Sequence, residues 1–409
     1  MNGTLLLSLF KPAEELAVVF DVGNASIGGS LVILSRHSRH PKVLYTVRKE
    51  MKPQKSANTE RMISSLEDTL YAVLDDIRKN GVAHLTFTKR GMLTPKTAFC
   101  FFSAPWYAGH IRRSAFVSPE AVTVTRGTVE DLLEKEVLSA EESQADTYLR
   151  AGAAANAVSL LEKETLHVSL NGYPQENPFG RKAKNIEALF YISVIPLRIV
   201  QSAETAIRRS FDVKNIHFGS FALVFWNGVR DMWTQEKDYL LLDVSGELTE
   251  LVLVRGGAPA ETATFPKGRN FFIRAIAEQL QTSFHEAASL CALFVLGKAG
   301  PGVSEQIHAA LSSAEKEWRE DLQGLLSGLS EGLFLPQSLF LTADDPLARW
   351  LGGVLQDPTP TMGSSFGKPF TVHVLDDQTL SRFADAPRAA HDNFLFLCSL
   401  FAQKIQFPL

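Results

Sequence analysis

The sequence predicts an α/β fold of two similar lobes, and two hairpin-like segments are the main basis of that prediction. The first, VVFDVGNASIGGSLVIL, spans residues 18–34, and the second, LLLDVSGELTELVLV, spans residues 240–254. In each, a strand ending in Asp leads through a turn of Gly and polar residues into a second apolar strand. The two segments lie in separate halves of a 409-residue chain, which is too long for one ordinary core. They therefore indicate a duplicated fold whose two turns face one ligand across a cleft.

The composition of the two turns suits phosphate chemistry. Gly and Ser let backbone N–H groups approach anionic oxygens, and an Asp at the strand end can hold Mg²⁺ beside them. The candidate residues are Asp21, Gly23, Asn24 and Ser26 in the first turn and Asp243, Gly246 and Thr249 in the second. Asp21 and Asp243 are the candidate metal ligands. The alternative is that both segments are ordinary hairpins with turn residues where turns need them.

Composition and charge narrow the class of protein. Hydrophobic residues make up 45% of the chain and charged residues 21%, as in soluble globular proteins, and the net charge of −4 gives no general attraction to nucleic acid. The three cysteines are isolated, which argues against zinc or redox motifs and fits a reducing compartment. The opening run MNGTLLLSLF is too short to span a membrane and lacks the basic start of a signal peptide, so a cytoplasmic location is expected.

The order of strand and helix patterns predicts the domain organisation. Strands followed by a helix and a further strand indicate an α/β lobe at the start of the chain. Residues 116–207 have a different pattern, and we interpret them as a small inserted α+β subdomain. The predicted segments are 1–115 (first lobe), 116–207 (insertion), 208–238 (return to the first lobe), 239–390 (second lobe) and 391–409 (C-terminal helix packing back on the first lobe).

Three ordered segments resemble a known family. They are ETLHVSLNGYPQENPFGRKAKNIEALFYISVIP (residues 164–196), AIRRSFDVKNIHFGSFALVF (206–225) and PKGRNFFIRAIAEQLQTSFHEA (266–287). Together with the two hairpins they resemble the actin-like ATPase superfamily, within it the FtsA/PilM branch of bacterial cell-division and type IV pilus proteins. The resemblance implies a two-lobed actin-like fold of duplicated ribonuclease H-like domains, with an SHS2-like subdomain as the insertion.

The resemblance also implies ATP and Mg²⁺ as cofactors, and it adds Ser245 of the second phosphate turn and Thr342 of the adenosine turn to the candidate site. The chain departs from the family at both turns. Glu247 and Leu248 stand where phosphate oxygens approach, and Asp344 and Asp345 replace the usual glycines of the adenosine turn. Unpaired carboxylates there would repel a nucleotide, so we expect weak or absent ATP binding and no enzymatic activity.

The function implied is a cytoplasmic actin-like scaffold at the inner membrane, serving type IV pilus assembly or cell division. Its expected partner is the cytoplasmic tail of an inner-membrane pilus or divisome protein, with self-association as a further possibility and no nucleic acid. The chain ends in AQKIQFPL without a basic amphipathic helix, which favours PilM-like attachment through that partner. The predicted docking site is an exposed strand edge at residues 186–196. Basic residues beside it would select an acidic tail, and they are Arg181, Lys182, Lys184, Arg208 and Arg209.

Two other functions remain open at this point. The first is an ATP-binding FtsA-like division ATPase whose polymerisation is gated by nucleotide. The second is a sugar-kinase-like enzyme of the same fold, against which the SHS2-like segment argues.

Overall fold

The computed structural model describes residues 13–52, 59–82, 94–150, 158–329, 334–344, 347–357, 368–380, 383 and 392–408. Asp345 lies outside these residues. The chain forms two compact units. Unit 1 comprises Met1–Phe102, Gln201–Gly228 and Asp377–Leu409, and unit 2 comprises Ser103–Val200 and Val229–Asp376.

Unit 1 is built on a five-stranded mixed sheet with the first hairpin at its centre. Its strands are β1 (Glu14–Val22), β2 (Ser26–Ser35), β3 (Lys42–Glu50), β4 (Thr97–Phe102) and β9 (Asn215–Ser220). They are ordered β3-β2-β1-β4-β9, with β1 to β3 antiparallel and with β4 and β9 parallel to β1. From Ala17 onward β1 is buried at nearly every position, as expected of a central strand covered on both faces.

Helices cover both faces of this sheet, and two adjacent glycines of β2 let them approach closely. The helices lying wholly or partly in unit 1 are α1 (Thr59–Asp76, followed by a π-helical turn, Ile77–Val82), α3 (Leu197–Ser210), α4 (Phe221–Met232), α9 (Asp377–Leu380) and α10 (Asn393–Gln406). A Cβ on Gly29 would lie 2.5 Å from Val73 of α1, whereas one on Gly28 would lie 3.1 Å from Leu395 of α10. Successive strand residues face opposite sides, so α1 and α10 pack on opposite faces of the sheet.

Unit 2 contains a second sheet with the same strand order. Its strands are β10 (Tyr239–Val244), β11 (Thr249–Arg255), β12 (Ala258–Phe265), β13 (Ser338–Ala343) and β14 (Thr371–Val374). The order is β12-β11-β10-β13-β14, with the second hairpin at the centre and two parallel strands beyond it. The matching order of the two sheets, each centred on one of the Asp hairpins, confirms the predicted duplicated α/β fold.

Four helices accompany this second sheet. They are α5 (Arg269–Leu280), α6 (Phe284–Val295), α7 (Pro301–Leu329) and α8 (Leu347–Gln356). Phe272 of α5 and Trp318 of α7 are fully buried and pack against each other at 6.1 Å between ring centroids. These helices and the sheet share one apolar core, which fixes the position of α5 beside the hairpin turn.

Unit 2 also contains a four-stranded antiparallel sheet against which α2 (Arg126–Arg150) packs. Its strands are β5 (Ala108–Thr123), β6 (Val158–Leu170), β7 (Tyr173–Pro174) and β8 (Lys182–Pro196). Asn171 and Gly172 join β6 to β7 with φ of 52° and 83°, the backbone that a two-residue type I′ turn requires. The assignment of this segment to an SHS2-like insertion, and the predicted domain boundaries, stay predictions.

The sheet order overturns the predicted exposed edge. The order is β5-β8-β6-β7, so β8 pairs with β5 on one side and with β6 on the other. The backbone of residues 186–196 is therefore already paired and cannot accept an added peptide strand. Every residue from Phe190 to Pro196 is buried, and this continuous apolar run is typical of a strand covered on both faces rather than of an open edge.

In the part of the chain that the structure describes, none of the helices combines the length and the apolar character needed to cross a bilayer.

Candidate functional site

The first turn is closed by its own backbone. The Gly23 N–H donates to the Ser26 carbonyl at 3.0 Å, and a Cβ on Gly23 would approach that oxygen to 2.9 Å. This N–H was predicted to bind a phosphate, but in the structure it is hydrogen-bonded within the turn. Asn24, another predicted ligand residue, is 6% exposed.

A row of three residues crosses the sheet beside this turn. The strand register places Gly28 of β2 between Asp21 of β1 and Arg48 of β3. Because Gly28 has no side chain, the long side chain of Arg48 can pass over it and reach Asp21. A Cβ on Gly28 would lie 2.6 Å from Arg48 Nη2. The missing side chain of Gly28 therefore makes room for Arg48 rather than for a ligand.

Arg48 donates hydrogen bonds to three oxygen-bearing side chains and so joins them into one cluster. Its Nη2 donates to Asp21 Oδ2 at 2.8 Å, and its Nη1 donates to Ser26 Oγ at 2.9 Å. On the other side, Nε and Nη2 donate to the two carboxylate oxygens of Asp392 at 2.7 and 3.0 Å. We refer to Asp21, Ser26, Arg48 and Asp392 as the Arg48 cluster. It brings together two of the predicted site residues, Asp21 and Ser26.

Asp392 ties the cluster to the C-terminal helix. It is the N-cap of α10, where its Oδ1 accepts the Leu395 N–H at 3.0 Å. Burial alone would raise the pKa of the Asp392 carboxyl. The positive charge and hydrogen bonds of Arg48, with the backbone N–H groups of Leu395 and Phe394, outweigh that effect and lower the pKa. Asp392 is therefore an ionised partner of Arg48.

In unit 2 the predicted site residues Asp243 and Thr342 lie opposite each other on the neighbouring strands β10 and β13. Thr342 Oγ1 donates to Asp243 Oδ1 at 2.9 Å, and both side chains are almost completely buried. Ser245, also predicted, donates its hydroxyl to the Leu248 carbonyl within the turn at 3.3 Å. The polar groups of this turn are thus satisfied by one another.

The second turn also caps a helix. The backbone N–H groups of Arg269 and Asn270, at the start of α5, donate to the carbonyls of Ser245 and Gly246 at 2.8 and 2.7 Å. Gly268 makes this contact possible, since a Cβ there would lie 2.2 Å from the Ser245 carbonyl oxygen. Helix N-terminal N–H groups are common anion donors, and here two of them are bound to the turn itself.

Thr249, the remaining predicted residue, is a structural side chain. Its hydroxyl donates to the Lys267 carbonyl at 2.7 Å and accepts the Trp318 indole N–H at 3.0 Å. Thr249 is fully buried. A hydroxyl with both partners inside the core does not fit a ligand role.

The premise that acidic residues stand unpaired at this site is wrong. Asp344 Oδ2 accepts a hydrogen bond from Arg269 at 2.9 Å. Glu247 accepts bonds from Asn270 at 2.8 Å and from Arg274 at 2.9 Å. Both carboxylates are therefore paired with arginines of α5, so charge repulsion of a nucleotide by Glu247 and Asp344 does not follow.

A buried carboxyl on the same sheet was not among the predicted site residues. Glu250 lies directly across the strand pair from Asp243, is 6% exposed, and accepts the Tyr107 hydroxyl on both oxygens at 3.0 and 3.1 Å. Burial raises the pKa of the Glu250 carboxyl to about 7, and the Tyr107 hydrogen bond offsets only part of that rise. The one available signal was an acidic residue inside the otherwise apolar strand TELVLV.

These contacts test whether a nucleotide with its metal fits. Across the described ranges, no group of three or more His, Cys, Asp or Glu side chains is arranged to hold a metal ion. In unit 1 Arg48 holds Asp21 Oδ2 and Ser26 Oγ, so a divalent cation bound by these two oxygens would have to displace the arginine. The residues present at this turn therefore do not fit Mg²⁺. The expectation that the two turns face each other concerns the arrangement of the units and stays a prediction.

Comparison with solved structures identifies the fold class of the chain. The chain is similar to PilM in the solved PilM–PilN type IV pilus biogenesis complex, with a TM-score of 0.60 and 12% identity over 95% of this chain and 98% of that one. The ethanolamine utilization protein EutJ of Carboxydothermus hydrogenoformans (TM-score 0.44, 12% identity, 96% and 91% covered) is a weaker match. An actin-like ATPase fold protein of Bacteroides thetaiotaomicron is weaker still (TM-score 0.40, 9% identity, 84% and 88% covered).

No protein-family profile and no curated protein sequence matches the chain. Its fold is the actin-like fold. Within that class the similarity to PilM confirms the PilM-like fold that the sequence indicated.

Proposed function

We propose that this chain is an actin-like scaffold that works at the cytoplasmic face of the inner membrane, in type IV pilus assembly or cell division. The observation that carries the proposal is the similarity in fold to PilM over nearly the whole of both chains, PilM being part of a complex with PilN. The chain would be recruited by the cytoplasmic segment of an inner-membrane protein. It would thus lie at the membrane through a partner.

We further propose that its nucleotide site is degenerate. Arg48 bonds one carboxylate oxygen of Asp21, the second turn caps α5, and the Thr249 hydroxyl is bonded within the core. The polar groups named here are thus bonded within the protein, and the proposal does not depend on unpaired acidic residues. A scaffold of this kind would hold its partner without nucleotide-driven cycling.

A cavity in unit 1 is a candidate contact for an acidic partner segment, now that β8 is excluded as a docking edge. Its volume is about 300 Å³, and it is lined by Tyr71, Asp75, Arg78, Arg209 and Ser210. Asp75 is shared by Arg78 at 3.0 Å and Lys79 at 2.7 Å. Arg209 forms no ion pair with any residue that the structure describes, so it is available to a carboxylate of the partner.

We expect synthetic peptides of the cytoplasmic segments of inner-membrane pilus and division proteins to bind the purified chain, and calorimetry measures this. Arg209→Glu should weaken the binding of such a peptide by roughly tenfold or more, since it replaces the guanidinium with a carboxylate that repels an acidic peptide. Lys316→Glu, an exposed site on α7 with the same charge change, is the control. If Arg209→Glu binds the peptide as tightly as wild type, docking takes place on another surface. If none of the peptides binds, recruitment by such a segment is refuted.

Calorimetric titration of ATP–Mg²⁺ into the wild-type chain tests the degenerate site. We expect no binding at micromolar concentration, because a nucleotide would have to break the closed turn contacts before gaining its own. Micromolar binding accompanied by phosphate release, and abolished by Asp21→Ala, would favour the nucleotide-gated division ATPase instead.

A further inference from the structure

The Arg48 cluster has the composition of a metal site with an arginine at its centre. Two carboxylates, Asp21 and Asp392, and one hydroxyl, Ser26, converge on the same side chain. Carboxylate and neutral oxygens are the donors that Mg²⁺ and Ca²⁺ take in proteins. Here the positive charge among them is a guanidinium.

We propose that the Arg48 guanidinium takes the place of a divalent metal. It holds the hairpin of β1 and β2 to α10 in every state of the protein. The inference rests on the degenerate site of the proposed function and goes beyond it, because it assigns the role of the lost metal to one residue. A bound metal can leave with its nucleotide, whereas a side chain cannot. The junction between β1, β2 and α10 is therefore permanent.

The surroundings of Arg48 are arranged for an arginine. Gly28 provides the path across the sheet, with 2.6 Å between its ideal Cβ position and Nη2. The Phe394 ring lies 5.4 Å from the guanidinium carbon, a distance at which a cation is attracted to the ring face. The bidentate contact with Asp392 uses the planar fork that a lysine lacks. Gly28 of β2 and two residues at the start of α10 thus match the shape of this one side chain.

The proposal predicts that removal of the arginine makes the protein depend on a divalent cation. Arg48→Met keeps most of the side-chain volume but leaves two buried carboxylates without a counter-charge. In EDTA we expect its Tm to fall by about 5 °C or more relative to wild type. Millimolar MgCl₂, CaCl₂ or MnCl₂ should restore at least half of that loss, as measured by thermal unfolding. The wild-type Tm should be the same with and without each salt.

Two variants separate a specific site from a general salt effect. Arg48→Met combined with Asp21→Asn removes one ligand as well, so its Tm should no longer respond to the cations. Arg48→Lys keeps one positive charge, so it should unfold at an intermediate temperature without a cation response. If Arg48→Met does not fold without metal, its soluble recovery on refolding with CaCl₂ or MgCl₂ is the same test.

Two results would overturn the proposal. One is an Arg48→Met protein whose Tm or refolding is indifferent to all three cations. The other is a wild-type Tm that rises with a divalent cation and loses that rise in Asp21→Asn. Failure of the proposed degenerate site is distinguishable from both, because it shows as ATP–Mg²⁺ binding by the wild-type chain in calorimetry.

Discussion

Replacing Glu250 with Gln is expected to make the protein more stable at pH 8 by about 3 kcal/mol. Burial raises the pKa of this carboxyl from 4.5 to about 7. The folded state therefore binds more protons than the unfolded state between these values, and stability falls as pH rises through that window. Each pKa unit corresponds to about 1.4 kcal/mol. Gln resembles the protonated carboxyl, and its oxygen can still accept the Tyr107 hydroxyl.

The measurement is urea unfolding of wild type and Glu250→Gln at intervals from pH 5 to pH 8. The two proteins should have similar stability at pH 5 and diverge above it, with the flatter profile in the variant. Glu305→Gln, an exposed carboxyl on α7, controls for the loss of one acidic group. Parallel profiles for wild type and Glu250→Gln would show that Glu250 is not the group that titrates.

Replacing Gly268 with Ala is expected to destabilise the protein by about 3 kcal/mol, the upper end of the cost of overpacking. The new Cβ would lie 2.2 Å from the Ser245 carbonyl and 2.6 Å from the Leu248 nitrogen. Both are backbone atoms of a buried turn, so neither can move aside as a flexible side chain would. The start of α5 must lift from the turn, and its two N–H contacts weaken.

Chemical unfolding compares this variant with Gly324→Ala, a matched change on α7. Gly324 has open space around its Cβ position, so alanine there should stabilise the helix by about 0.5–1 kcal/mol. Opposite signs for the two variants would establish that the effect of Gly268→Ala comes from the turn contact. A Gly268→Ala protein within about 0.5 kcal/mol of wild type would contradict the close approach of α5 to the turn.

Much of the fold could be predicted because its signals are local. The two Asp hairpins are contiguous in sequence, and each strand is apolar enough to be recognised alone. Helices such as α1 and α10 follow from the spacing of apolar residues. The contact of Asp243 with Thr342 was not predicted, because it depends on the parallel pairing of β10 with β13.

The site could not be predicted to the same depth, because its contacts depend on register and on distant parts of the chain. Arg48 reaches Asp21 only because Gly28 stands between them, and its other partner, Asp392, is 344 positions away. Glu247 looked unpaired because Arg274 lies 27 positions later in the chain and contacts it only when α5 packs beside the turn. The position of β8 was misjudged because an apolar run does not reveal how many neighbours its edges have.

The packing of α10 on the first sheet has a consequence for the order of events on the ribosome. Gln403 of α10 bonds both the N–H and the carbonyl of Ser35, 368 positions earlier. At typical synthesis rates, β1 to β3 emerge on the order of tens of seconds before α10 exists. The face of these strands that α10 covers stays exposed during that time, in which the segment from Val229 to Asp376 is synthesised. Unit 1 thus combines strands that are translated before unit 2 with a helix that is translated after it.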